Sequence, residues 1–87
     1  MQFVKMIQFT RLVKAEGRLR EFNFRKVKSP DEETFSVNVC DERGDRIFFN
    51  MQKKENAWII IPGELPNWVL QNEKDLDETI EDELRKW

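Results

Sequence analysis

The 87 residues include no histidine and one cysteine, Cys40. Without an imidazole no Ser–His or Cys–His pair can activate a nucleophile, and a thiolate–imidazole metal site lacks its ligands. Three glycines supply no phosphate-cradling loop. Carboxylates are what remains for acid–base chemistry, with Asp31, Glu32, Glu33, Asp41 and Glu42 gathered in two short stretches. Ser29 and Pro30 accompany the first stretch and Gly44 the second, so these acids are expected to be solvated turn residues. Cys40 is flanked by Asp41 and Glu42 and by no cation, and therefore lacks the surroundings that activate a thiol. The expectation is a protein that is not an enzyme and needs no cofactor or metal.

Charge offers a different chemistry. The net charge is −2, but its distribution is uneven. Residues 1–28 hold eight basic side chains and two acids (8 − 2 = +6), residues 29–63 hold four and seven (4 − 7 = −3), and residues 64–87 hold three and eight (3 − 8 = −5). Two outcomes are open: the ends neutralise each other inside one small fold, or a basic surface for a polyanion lies opposite an acidic helix.

Residues that could act together depend on the strands that carry them. Period-two alternation runs through about 7–15, 19–27, 34–40, 46–52 and 57–61, with Phe22 and Phe24 sharing one side and Phe35, Val37 and Val39 another. In the first strand Ile7, Phe9 and Val13 alternate while Leu12 interrupts the pattern. Glu16–Gly17, Asp41–Asp45 and Lys53–Asn56 supply turns, as does Ser29–Glu33. Residues 1–6 fit a strand or a helical turn equally.

After Pro62–Gly63 the period changes. Val69, Leu76, Ile80 and Leu84 recur at helical spacing, giving an amphipathic helix over about 67–86. Pro66 suits its first turn; a restart near Asp75, with Glu78 at capping-box spacing, is the alternative to one continuous helix. Trp58, Trp68 and Trp87 read as core and helix anchors. The chain is therefore expected to be a single α+β domain over residues 1–87, a five-stranded antiparallel β-meander with one helix packed on one face.

One helix shields one face. The opposite face would present Asn23, Arg25, Ser36, Asn38, Cys40, Phe48, Asn50, Gln52, Ile59 and Ile61. Of these, Asn23, Arg25, Asn38, Phe48, Asn50, Ile59 and Ile61 are the candidate binding surface. Leu12, Phe48, Ile59 and Ile61 could make an apolar patch for a protein partner or a homodimer, and a sheet edge could pair with its copy. This interaction-module reading leads. Its alternative is single-stranded nucleic acid, for which amides, an arginine and an exposed ring are the usual tools. Phe48 packed on Ile59 and Ile61 would reduce the face to ordinary solvated surface.

No stretch approaches the roughly 20 apolar residues of a membrane span. The first residues are too short and polar for a secretory signal, and a lone cysteine suits a reducing compartment. A cytoplasmic protein without membrane contact is expected.

Antiparallel strands followed by one helix, basic early and acidic late, resemble in layout the PUR family of single-stranded nucleic-acid-binding domains. The fifth strand, through Trp58, departs from that family's repeat of four strands and a helix. No diagnostic motif is matched residue by residue. The resemblance implies an open sheet face that meets nucleic acid.

Overall fold

Alternation along the chain becomes five strands in a computed structural model that describes residues 7–28 and 32–86. Residues 1–6, Ser29, Pro30, Asp31 and Trp87, with the expectations attached to them, lie outside the described residues. The strands are β1 (Gln8–Ala15), β2 (Arg18–Val27), β3 (Thr34–Cys40), β4 (Arg46–Lys54) and β5 (Ala57–Ile60). They form one antiparallel sheet in the order β1-β2-β3-β4-β5. A helical segment follows, so the fold is α+β, as the sequence indicates.

Turn chemistry sets the register. Glu16 and Gly17 both have positive φ (52° and 73°), as do Glu55 and Asn56 (48° and 74°), the backbone that closes a two-residue hairpin without splaying right-twisted strands. Between β3 and β4, Asp41 Oδ1 accepts the N–H groups of Arg43 (2.8 Å) and Asp45 (2.9 Å).

The register then gives each side chain its face. Phe22, Phe24, Phe35, Val37, Val39, Met51 and Trp58 are buried on the inner side. Phe35 meets the Trp58 ring edge-on at 5.1 Å, and Phe9 stacks on Phe24 at 4.7 Å. Leu12 does not interrupt β1. It pairs with Glu21 on the outer side, and what stands on the inner side between Phe9 and Val13 is Arg11.

The helical segment is two helices and not one, α1 (Asn67–Leu70) and α2 (Glu73–Leu84). Between them Asn72 N–H bonds to Val69 O at 3.1 Å, and Asn72 Nδ2 donates to Trp68 O at 2.7 Å. The chain tightens there before α2 starts. Pro66 precedes the first turn of α1 as its N-cap. Asp75 and Glu78 fall inside α2, whose N-cap is Asn72, so their spacing marks no cap. Val69, Leu76 and Ile80 are fully buried in the core shared with the sheet.

Carboxylates of α2 hold it to the sheet. Arg11 reaches Asp82 (3.2 Å) and Glu83 (3.1 Å), and Lys53 reaches Glu81 (2.7 Å). Trp58 Nε1 also donates to Glu81, at 3.1 Å.

Candidate binding surface

Cross-strand register places the outer side chains in rows. Thr10, Asn23, Asn38 and Phe48 stand opposite one another across β1 to β4, and Gln8, Arg25, Ser36 and Asn50 form the next row. Neighbouring strands lie about 4.8 Å apart, so a row from β1 to β4 spans roughly 14 Å. Between the rows is a shallow cleft of about 520 Å³, lined by Thr10, Asn23, Arg25, Ser36, Asn38 and Phe48 among others.

The first row is a chain of hydrogen bonds. Thr10 Oγ1 donates to Asn23 Oδ1 (2.6 Å), and Asn23 Nδ2 to Asn38 Oδ1 (3.0 Å). Arg46 Nη1 donates to the same Asn38 oxygen at 2.6 Å. Both amides are thereby fixed in orientation, and Asn38 Nδ2 is left as a donor with no bond to a described residue. Phe48 closes the row with 65% of its surface exposed. A fixed amide edge beside an open aromatic face can hydrogen-bond a planar ligand and stack on it.

Of the seven expected residues, Asn23, Arg25, Asn38, Phe48 and Asn50 stand in these two rows. Ile59 and Ile61 lie on the same outer face, one strand further on, beside Gln52 and Asn50. Ile59 pairs with Gln52, Ile61 N–H bonds to Asn50 O, and both are half-buried toward the β5 side. Leu12 is separated from Phe48 by β2 and β3, so the four-residue patch does not form. Three contributors went unrecognised in the sequence: Gln8, Thr10 and Arg46. Arg46 was legible, since it lies two residues before Phe48 and must share its face.

Charge separates the two faces. On the inner face Arg11, Arg20, Lys26 and Lys53 each face at least one carboxylate. Arg20 is buried under Trp68, its guanidinium 4.6 Å from the ring centre, with Glu42 at 3.6 Å. Hydrogen bonds to Asp82 and Glu83 raise the pKa of Arg11, and the bond to Glu81 raises that of Lys53. On the outer face Lys54 pairs with Glu32, but Lys14, Arg25 and Arg46 have no carboxylate partner among the described residues. The basic early strands are thus split. Arg11, Arg20 and Lys26 serve internal neutralisation, whereas Arg25 and Lys14 remain available.

No protein-family model, curated protein or solved structure matches the chain. Among the described residues no group of three or more His, Cys, Asp or Glu could hold a metal ion, and no helix is long and apolar enough to cross a membrane.

Proposed function

We propose that this protein is a binding module whose open sheet face takes single-stranded nucleic acid. The observation that supports this most directly is the division of charge: Arg11, Arg20, Lys26 and Lys53 on the inner face are matched by acids, while Arg25 and Arg46 flank an exposed ring and a fixed amide row with no carboxylate partner among the described residues. A phosphate backbone would bring the missing anions, Phe48 would stack a base, and Asn38 Nδ2 would meet a base edge. The acids of α2 act on the opposite side and are in large part engaged, so they do not cancel the field of the open face.

The test is fluorescence anisotropy of a labelled mixed-sequence single-stranded DNA titrated with the protein at low and moderate salt. Binding that weakens with salt is expected. Phe48→Ala should reduce affinity roughly five- to a hundredfold, in line with loss of one stacked base, without changing the unfolding midpoint. An oligonucleotide that stays free at tens of micromolar protein, or affinity indifferent to both salt and Phe48, would end the proposal and return the face to a protein partner.

A further inference from the structure

The two edges of the sheet differ. Antiparallel bonding alternates, so on β5 the N–H groups of Trp58 and Ile60 turn away from β4. Helix carboxylates take both, Asp77 Oδ1 at 2.8 Å and Glu73 Oε2 at 2.8 Å. No further strand can add to that edge without displacing α2. At the other edge Lys26 N–H donates to Ile7 O at 2.8 Å. The same alternation then directs the N–H and C=O groups of Gln8, Thr10, Leu12 and Lys14 outward from β1. Among the described residues nothing accepts from these four amides. An open strand edge of this kind is a template for pairing.

We propose that β1 is a self-association edge, pairing antiparallel with β1 of a second copy about a two-fold axis at Arg11. This register uses all four outward residues, setting Gln8 opposite Lys14 of the copy and Thr10 opposite Leu12. Like charges are nowhere opposed on the outer face. Leu12, 62% exposed, becomes a diagonal neighbour of its own copy, with the exposed Leu19 beside it.

On the inner face, half-buried Phe9 meets Val13 of the copy. Arg11 meets its own copy on the axis, and each guanidinium arrives bound to Asp82 and Glu83 of its own chain, so two matched ion pairs meet and not two bare cations. The result is a continuous sheet with the two open faces side by side. The inference does not depend on what those faces bind. One strand pair is smaller than a standard interface, so micromolar or weaker association is expected.

Sedimentation equilibrium over a range from micromolar to submillimolar protein, with amide hydrogen exchange at both ends of that range, tests this. Mass should rise toward a dimer, and the amides of Thr10 and Leu12 should gain protection with concentration. Those of Trp58 and Ile60 should be protected throughout. Leu12→Lys, at an exposed position, should weaken association by about tenfold. Leu12→Pro, which removes an outward donor, should abolish it, and if that variant fails to fold Leu12→Lys decides. A monomer over the whole range overturns the proposal, as does a dimer in which β1 amides exchange at the monomer rate or that Leu12→Lys leaves intact.

Discussion

The backbone N–H of Trp58, on the outer edge of β5, donates to the Asp77 carboxylate at 2.8 Å. A helix side chain here completes the hydrogen bonding of a strand edge. Glu73 does the same one turn earlier for Ile60, at 2.8 Å. Asp77→Ala leaves a half-buried amide without its charged acceptor and should cost about 1–3 kcal/mol by urea denaturation. Glu78→Ala, on the exposed side of α2, should be within about 0.5 kcal/mol of the parent protein. Equal effects of the two would mean that the Asp77 contact contributes nothing.

Glu81 joins Lys53 and the Trp58 indole; the hydrogen bond from Lys53 holds the carboxyl below its usual range against the opposing effect of burial, and the Lys53 charge and the Trp58 hydrogen bond add smaller contributions in the same direction. A depressed carboxyl contributes stability that is present above the unfolded-state pKa and is lost as pH falls through the folded-state value. Glu81→Gln should therefore lower stability by roughly 0.5–1 kcal/mol at neutral pH, the pair being about a third exposed. It should also flatten the acid limb of the stability profile below about pH 4.5. Urea midpoints measured across that limb check both; a variant with the parent's acid slope would remove Glu81 from the titration.

The hairpin closed by Glu55 and Asn56 places a glutamate at φ 48°, where a branched-free but long side chain gains nothing and asparagine or glycine is preferred. Glu55 makes no ion pair among the described residues. Glu55→Asn should raise stability by about 0.5–1 kcal/mol. A thermal midpoint that falls would show that this turn is not held in the conformation described.

The strands were legible because each carries alternation between turn-forming residues, and the shared face of the seven candidate site residues follows from that parity alone. Leu12 seemed to break the pattern only because an arginine, Arg11, occupies an inner position. Its acid partners lie some seventy residues away on α2, beyond any local signal. The helix break was half visible. Residue spacing allowed a restart, but its place depends on Asn72 bonding back to Trp68, a contact that no periodicity encodes. The carboxylates that cap β5 read as ordinary solvated acids of an amphipathic helix. Their use as edge acceptors depends on tertiary placement.

The division of charge between the faces makes a prediction that separates binding from stability. Arg25 and Arg46 have no carboxylate partner among the described residues, so each is free to neutralise phosphate and release counterions. Replacing either by alanine should lower the slope of log affinity against log salt by roughly 0.7, the single-strand value per phosphate contact. Arg46→Ala should do more, because it also releases the Asn38 oxygen and lets the amide row reorient. Arg11→Ala should behave in the opposite way. Its guanidinium is engaged by Asp82 and Glu83 on the other face, so the variant should lose stability while the salt slope stays where it was. If Arg11→Ala instead changed the slope as much as Arg25→Ala, the nucleic acid would have to be sensing overall charge and not the open face, and the surface argued for here would lose its claim.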